Sequence, residues 1–202
     1  MISCGNSFHL LEGDLLFQDL DSSPLCDAIE LVTTGYNNAN LSHIGLIISE
    51  NGKLKVLEAL PPKVKTTELK EFLNRSHDKN GKPKVIVGRL KDQYKHSIPN
   101  AIQFAKNQIE TQYDEPFLID NNKYYCSELI YKSFKSDNIF TLKPMTFLDP
   151  ATNDTLDVWT KHYENIGIKL PQNEPGINPG DMSLSKKLEI IHIYGYPDGM
   201  EK

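Results

Sequence analysis

Short apolar runs separated by turn residues dominate the first half of the chain, and this pattern predicts β-strands. Residues 44–48 form an isoleucine-rich run behind a polar approach, which predicts a buried strand with His43 at its entrance. An Asn-Gly pair at 51–52 is typical of a tight hairpin turn. Residues 53–60 predict a returning strand that two prolines end. The pattern therefore indicates an antiparallel hairpin.

Other segments repeat apolar side chains at helical spacing. Helices are predicted over residues 25–32, 67–73, 99–112 and 156–166, and a further strand over residues 84–90. After residue 143 several prolines predict a long irregular segment, followed by a short helix from Ser183 or a strand through 188–194. We expect one α+β domain, residues 1–202, in which an antiparallel sheet or small barrel packs against helices.

Length and charge narrow the class of protein. A chain of 202 residues with 39% hydrophobic and 24% charged residues is ordinary for one globular domain. Its net charge of 22 minus 27, or −5, argues against a nucleic-acid partner, because nucleic-acid surfaces are usually basic. No apolar run reaches the length of a transmembrane helix.

The residues around Cys4 resemble the end of a bacterial lipoprotein signal, in which a cysteine is lipidated after cleavage. The charged and apolar regions that should precede such a cysteine are not in the sequence. We expect a membrane contact only if Cys4 is lipidated. A cell-envelope location is favoured, and a cytoplasmic one is the alternative.

The cysteines and histidines do not indicate a metal or a cofactor. Cys4, Cys26 and Cys126 are too few and too scattered for a disulfide framework, and they lack the paired spacing of a zinc site. The six histidines show no metal-binding spacing either. We therefore predict that the protein needs neither.

Cys126 lies where a loop-like segment turns into a predicted amphipathic helix, since Leu129, Ile130 and Phe134 recur at helical spacing. Unpaired backbone N–H groups and the positive end of the helix dipole favour a thiolate at such a position. The same N–H groups can receive an oxyanion. The alternative is a buried structural cysteine.

His43 and Glu58 supply two further groups for cysteine chemistry. A histidine at the rim of a strand can exchange a proton without being locked in the core. Glu58 lies on the returning strand, so the hairpin brings it beside the strand of His43, although this pattern leaves their register open. Nucleophile, base and orienting residue are the three parts that cysteine hydrolysis requires.

Four motifs occur in a fixed order along the chain: Gly13-Asp14, Ser42-His43-Ile44-Gly45, Leu57-Glu58-Ala59 and Tyr125-Cys126-Ser127-Glu128-Leu129. With these motifs, residues 11–135 resemble the circularly permuted papain-like amidases, the YaeF/YiiX branch of the NlpC superfamily. In that branch the histidine precedes the cysteine, as it does here. The lecithin retinol acyltransferases are related to the same branch.

The resemblance implies a permuted papain-like fold with the nucleophile at a helix N-terminus. It implies Cys126 as nucleophile, His43 as base and Glu58 as the polar third residue. It also implies a tyrosine near the oxyanion, which Tyr125 or Tyr124 would supply.

The implied activity is that of a cysteine amidase or peptidase that works through a thioester, on peptide or amino-acid amides such as cell-wall stem peptides. An acyl-lipid hydrolase or acyltransferase is the enzymatic alternative, and a non-catalytic module that binds an amino acid or peptide is the other. A charged pocket beside Cys126 would favour an amino-acid or peptide ligand, whereas a broad apolar channel would favour an acyl chain.

Overall fold

Six antiparallel strands form the central sheet of the computed structural model, which describes residues 8–201. The described residues contain eight strands in all: β1 (Leu15–Gln18), β2 (His43–Glu50), β3 (Lys53–Leu60), β4 (Lys63–Glu68), β5 (Val85–Leu90), β6 (Lys143–Pro144), β7 (Pro175–Gly176) and β8 (Leu188–Ile193). The sheet order is β4-β3-β2-β1-β5-β8, and β6 pairs with β7 separately. The predicted α+β class with an antiparallel sheet is confirmed.

The helices are α1 (Pro24–Leu31), α2 (Leu69–Leu73), α3 (Ile98–Asn107), α4 (Cys126–Ser133), α5 (Asp157–Ile166) and α6 (Pro179–Ser183), with 3-10 turns at Tyr36–Asn38, Asp92–Ser97 and Lys135–Asp137. The bounds of α1 and α5 lie close to those predicted. Helix α2 begins later than predicted, because β4 continues through Glu68. Between residues 8 and 201, no helix combines the length and apolar character that crossing a bilayer requires.

Both faces of the sheet are buried, which explains its continuous apolar runs. Leu15 and Phe17 contribute to the larger hydrophobic cluster, which includes residues of α3 and α4. Leu16 points to the opposite face, where Phe72 of α2 packs. Helix α4 contacts β2 across the larger cluster, so the start of α4 lies near the start of β2.

A third hydrophobic cluster joins α1 to α5, separately from the two clusters on the sheet. Its buried members are Ala28, Phe147, Trp159 and Tyr163. The sequence predicted both helices but not that they pack on each other. This contact creates the far wall of the cavity described below.

The tail departs from its prediction at Ser183, which ends a helix instead of beginning one. Helix α6 starts after Asn178, whose side chain accepts a hydrogen bond from the backbone N–H of Asp181 at 3.0 Å, and Pro179 takes the first helical position. Asn before Pro is a favourable helix start for both reasons. The predicted strand also forms, as β8.

Candidate active site

Cys126 is the first residue of α4. Tyr125 before it is extended, with φ −88° and ψ 169°, so the helix cannot begin earlier. Leu129 and Ile130 are fully buried and anchor the helix in the core. The thiol is largely buried, and its sulfur lies 3.9 Å from the carbonyl oxygen of Ser42. As the first helical residue, Cys126 keeps a backbone N–H without an intrahelical partner.

His43 begins β2 and is buried beside Glu58, which lies near the end of β3. The imidazole Nε2 is 2.6 Å from Glu58 Oε2. The strands pair Leu46 with Leu57, so His43 and Glu58 are diagonal neighbours across the hairpin rather than directly opposite. Because Glu58 occupies Nε2, the other ring nitrogen, Nδ1, is the one left for the Cys126 thiol.

Glu58 is fully buried and accepts hydrogen bonds on both carboxylate oxygens. Thr67 Oγ1 donates to Oε1 at 2.5 Å, and Arg75 donates to Oε2 at 2.8 Å and to Oε1 at 2.6 Å. Burial would raise the pKa of Glu58, but hydrogen bonds and charges of Arg75 and His43 hold that pKa well below its ordinary range. Glu58 is therefore an ionised, fixed partner for His43.

Burial and the interactions with Glu58 and Cys126 together determine the pKa of His43. Burial would lower the pKa of His43, but its hydrogen bonds with Cys126 and Glu58 outweigh burial and raise that pKa to about 9. The structure thus brings Cys126, His43 and Glu58 together as one series, in which Cys126 and His43 line the same cavity and His43 lies 2.6 Å from Glu58. With a pKa of about 9, the imidazole already carries a proton at neutral pH, and its positive charge is suited to stabilise a thiolate beside it.

Thr67 and Arg75 are site residues that the sequence analysis missed. Thr67 lies on β4, inside the range predicted as a helix, and Arg75 follows the end of α2. Neither belongs to a motif quoted above. The available signal was indirect: a buried glutamate on a strand needs a cationic or hydroxyl partner, and Arg75 is the first arginine after Glu58.

Tyr125 is buried beside the nucleophile and is tied to the tail of the chain. Its hydroxyl oxygen accepts a hydrogen bond from the backbone N–H of Ile177 at 3.3 Å, and burial raises the pKa of Tyr125 well above its ordinary value. Ser127 Oγ donates to the Ile177 carbonyl oxygen at 2.8 Å. The first turn of α4 therefore holds Ile177 from both sides.

Two buried carboxyl groups lie close to the nucleophile without belonging to the series. Asp114 accepts hydrogen bonds from the Leu118 N–H and Asn121 Nδ2, both at 2.7 Å, and so fixes the loop before α4. Burial, and then the charge of Asp114, raise the pKa of Glu128 to about 8. Glu128 is thus largely protonated at neutral pH, which avoids a second buried negative charge beside Cys126.

His192 and Asp14 lie away from the series of Cys126. His192 stacks on Phe8 with ring centroids 3.9 Å apart, and Asp14 pairs with Arg89 Nε at 2.7 Å. Both contacts are structural ones outside the series of Cys126. Cys4, where lipidation was considered, lies outside the described residues.

A cavity of about 770 Å³ opens beside Cys126 and His43. Apolar and aromatic side chains form most of its wall, among them Leu25, Ile29, Phe117, Phe147, Trp159 and Ile177. The sequence analysis distinguished a charged pocket, which would favour an amino-acid or peptide ligand, from an apolar channel, which would favour an acyl chain. The observed wall is of the second kind.

One acidic cluster stands outside the cavity. Within residues 8–201, Asp19, Asp21 and Asp198 are the only such group whose carboxylate oxygens lie close enough together to hold a metal ion. The Lys84 ammonium contacts all three carboxylates, at 3.0, 2.7 and 3.1 Å respectively. Lys84 therefore supplies the positive charge that this cluster requires.

Comparison with known proteins gives a consistent result. A family model described as a permuted papain-like amidase enzyme, YaeF/YiiX, C92 family, matches residues 9–192. The uncharacterized protein YiiX of Escherichia coli strain K12 is 28% identical over 169 residues, which cover 83% of this chain and 78% of that protein.

A crystal structure of YiiX from Escherichia coli O157:H7, described there as a metalloprotein, matches with a TM-score of 0.75 and 23% identity, over 94% of this chain and 100% of that one. This similarity supports the fold, and the family model covers most of the chain. The chain therefore belongs to the family of permuted papain-like amidases that includes YaeF and YiiX.

Proposed function

We propose that the protein is a cysteine amidase in which Cys126 attacks an amide carbonyl and forms a thioester. The observation that carries this proposal is the placement of Cys126 and His43 at the edge of one cavity, with His43 hydrogen-bonded to the buried Glu58 at 2.6 Å. Membership of the permuted papain-like amidase family supports the same class of reaction.

In the first half of the proposed reaction, Cys126 is a thiolate paired with the protonated His43, and its sulfur bonds to the amide carbon. His43 then donates its proton to the amide nitrogen, the C–N bond breaks, and the amine leaves. In the second half, water gives a proton to His43 and adds to the thioester carbon. The C–S bond breaks, the acid leaves, and the thiolate beside the protonated His43 is restored.

Glu58 acts through His43 in this scheme. By accepting the Nε2 hydrogen it keeps Nδ1 directed at the thiol, and its negative charge stabilises the imidazolium that forms. Arg75 and Thr67 hold the carboxylate, so the orientation of the ring does not depend on a single contact.

The proposed oxyanion donors lie at the start of α4. The backbone N–H of Cys126 is the first, because it has no intrahelical partner. The Tyr125 hydroxyl is the second: its oxygen already accepts the Ile177 N–H, which leaves its own hydrogen for a developing negative charge.

The acidic cluster of Asp19, Asp21 and Asp198 lies outside the proposed reaction. One structural neighbour is described as a metalloprotein, but the acidic cluster of this chain does not fit a metal ion, because Lys84 contacts all three carboxylates. We assign that cluster a structural role.

Two classes of substrate fit the thioester chemistry. One is the amide of an amino acid or peptide, as in cell-wall stem peptides, and the other is a compound with a longer acyl chain. A cell-envelope location would suit the first. If the protein were instead a binding module with a disused site, Cys126 would be unreactive.

Alkylation by iodoacetamide between pH 5 and 9, with the modified residue identified by mass spectrometry, tests the proposal. Cys26 is the internal control: it lines the same cavity, but its sulfur has Ser22 Oγ at 3.4 Å and Ser23 Oγ at 3.6 Å as neighbours. We expect Cys126 to react faster than Cys26 at pH 6 to 7, below the ordinary thiol pKa of about 8.5.

The variant Cys126→Ala should lose all turnover of amide substrates while it unfolds at nearly the same temperature as the wild type, because alanine is a good helix former. Equal reactivity of Cys126 and Cys26 would contradict the amidase and favour the binding module.

A further inference from the structure

Gln18 ends β1 and lies directly opposite His43 in the sheet. The register of the two antiparallel strands pairs Gln18 with His43, and Gln18 is fully buried. Side chains that are directly opposite on antiparallel strands lie on the same face, with Cβ atoms about 4.5–5.5 Å apart. A buried neutral amide is therefore the cross-strand neighbour of the imidazole that the proposed reaction uses.

The side-chain nitrogen of Gln18 has a defined partner at the end of α2. Nε2 donates to the carbonyl oxygen of Phe72 at 2.9 Å. Phe72 is the fourth residue of the five-residue helix α2, and carbonyl groups in the last turn of a helix lack their regular donors. The backbone N–H of Arg75 also donates to this carbonyl, at the longer distance of 3.4 Å. Gln18 thus joins the end of α2 to the strand beside His43.

Two groups at the end of α2 contact the series of Cys126. The Phe72 ring lies 5.8 Å from the imidazole of His43 between centroids. The Arg75 guanidinium lies over the Phe72 ring at 5.2 Å and donates to both carboxylate oxygens of Glu58. An isolated helix of five residues is not stable in water, so contacts with the sheet must hold α2 in place. A hydrogen bond fixes direction as well as distance, and Gln18 supplies one.

The side-chain oxygen of Gln18 has no hydrogen-bond partner among the described residues, although it is buried. The assignment of the two amide atoms is firm, because a reversed amide would place its oxygen against the Phe72 carbonyl oxygen. An unpaired buried acceptor destabilises a fold. Leu16 and Val85, the neighbours of Gln18 on this face, are both apolar. Core packing alone would therefore favour an apolar side chain at position 18.

We infer that Gln18 is a positioning residue of the proposed reaction, which holds the end of α2 against the strand of His43. In this way it fixes the Phe72 ring and the pair of Arg75 and Glu58, which together orient the imidazole. The inference rests on the proposed function. Within the part of the chain that the structure describes, Gln18 does not line the cavity, so it acts on the thiolate–imidazolium pair and not on substrate binding.

The variant Gln18→Met tests the inference, because it keeps the length of the side chain and removes both polar atoms. We expect kcat to fall about tenfold at pH 6 to 7 with KM unchanged. The pH at which Cys126 becomes half-reactive towards iodoacetamide should rise by about one unit, because a poorly oriented imidazolium stabilises the thiolate less and one pH unit corresponds to a factor of ten.

Ser97→Ala is the matched control for the loss of a buried hydrogen bond. Ser97 Oγ donates to the Tyr94 carbonyl oxygen at 2.7 Å, just before α3 and outside the site. This variant should unfold at a lower temperature and keep the kcat and labelling profile of the wild type. If Gln18→Met likewise changes only the unfolding temperature, Gln18 is structural and the inference is wrong.

Gln18→Asn provides a second variant if Gln18→Met does not fold. It keeps the amide on a side chain one methylene shorter, which does not reach the Phe72 carbonyl. We expect the same fall in kcat and the same shift of the labelling profile. A profile and kcat equal to those of the wild type would show that the contact with Phe72 is not needed, and would overturn the inference.

The ring signals of His43 in a Cys126→Ala background separate this inference from the proposed reaction. An NMR titration, assigned by comparison with His43→Gln, should give a lower pKa for His43 when Gln18 is replaced by Met, since Glu58 then raises that pKa less effectively. If Cys126 is unreactive but this shift occurs, the amidase proposal fails and the positioning of the imidazole stands. If Cys126 is reactive and neither the titration nor kcat changes, only the role of Gln18 is wrong.

Discussion

The sheet side and the helix side of the candidate site are held in different ways. On the sheet side, Glu58 is fully buried and has polar contacts of 2.5 to 2.8 Å with His43, Thr67 and Arg75. On the helix side, the Cys126 sulfur has the Ser42 carbonyl at 3.9 Å, and the Tyr125 hydroxyl has the Ile177 N–H at 3.3 Å. Charge and hydrogen bonds fix the first side, and apolar packing shapes the second.

This difference suggests that the two sides have different roles in the proposed reaction. In the proposed reaction, His43 must present one ring nitrogen in one orientation. Its position is fixed by the strands and by the ion pair of Glu58 and Arg75, whose geometry tolerates little displacement. The groups that line the cavity opposite the nucleophile come from α1, α5 and the tail, where packing can change without disturbing the proposed proton transfer. Substitutions on the sheet side should therefore affect rate and stability together, and those on the helix side should mainly affect substrate choice.

The largest effect is expected for His43→Gln, which keeps an amide donor for Glu58 but removes the proton acceptor. We expect kcat to fall by about 10⁴-fold, as for loss of a catalytic-triad residue. The rate of amide hydrolysis at saturating substrate measures kcat. The rate of Cys126 labelling by iodoacetamide at pH 7 should fall in parallel. His96→Gln is the control, because His96 is exposed and pairs with Asp137. A turnover within tenfold of wild type would contradict the role of His43.

Arg75→Met should cost stability and activity together. It leaves the buried Glu58 carboxylate without its bidentate partner, and the loss of one member of a buried ion pair costs about 3–5 kcal/mol in the free energy of unfolding. Urea denaturation and kcat/KM at pH 7 are the measurements. Arg89→Met is the matched control, since Arg89 forms a similar bidentate pair with Asp14 outside the site. We expect the control to lose stability but retain turnover.

Much of the sheet side was accessible from the sequence. The prediction placed His43 and Glu58 on paired strands but left their register open. A two-residue turn in fact determines it: with Asn51 and Gly52 both at positive φ, Glu50 pairs with Lys53. Counting outward from that pair sets Glu58 diagonal to His43 on the same face of the sheet.

The partners of Glu58 and the cavity wall were not accessible in the same way. Arg75 follows a short helix and reaches Glu58 through the fold, and no local pattern reports that contact. Ile177 comes from a proline-rich stretch without periodicity and is fixed by Ser127 and Tyr125. Such contacts depend on tertiary packing between distant segments, which hydrophobic periodicity does not encode.

A pH titration of stability tests the ionic state of the sheet side. His43 has a pKa of about 9 in the folded protein and an ordinary value of 6.5, so its contribution to stability is complete below pH 6.5 and is lost as pH rises through 9. The difference in unfolding free energy between wild type and His43→Gln should fall by about 3 kcal/mol from pH 6 to pH 9.5.

This comparison cancels the effects of other titrating groups, such as Glu128. In a Cys126→Ala background the fall should be smaller, because one of the two hydrogen bonds that raise the pKa of His43 is gone. A difference that stays constant with pH would contradict the raised pKa.

Tyr125→Phe examines the helix side, because it keeps the ring and removes the hydroxyl. If that hydroxyl donates to the oxyanion, acylation of Cys126 should slow by about 10²-fold, as for other oxyanion donors, with little change in stability. Rapid-mixing measurement of thioester formation reports this step. Tyr124→Phe is the control, since its ring packs against Phe104 at a centroid distance of 6.2 Å. An unchanged acylation rate would leave the backbone N–H groups as the donors.

The smallest effect is expected for Thr67→Val, which removes one hydrogen bond from Glu58 and keeps the shape of the side chain. Glu58 Oε1 retains its bond from Arg75 Nη2 at 2.6 Å, so the carboxylate is not left unpaired. We expect a loss of about 1–2 kcal/mol in unfolding free energy and a fall in kcat of less than tenfold. Thr66→Val on the same strand faces the other side of the sheet and serves as the control. If Thr67→Val matched Arg75→Met in both measurements, Glu58 would depend on every contact equally. The sheet side would then be a cooperative network rather than an ion pair with a supporting hydroxyl.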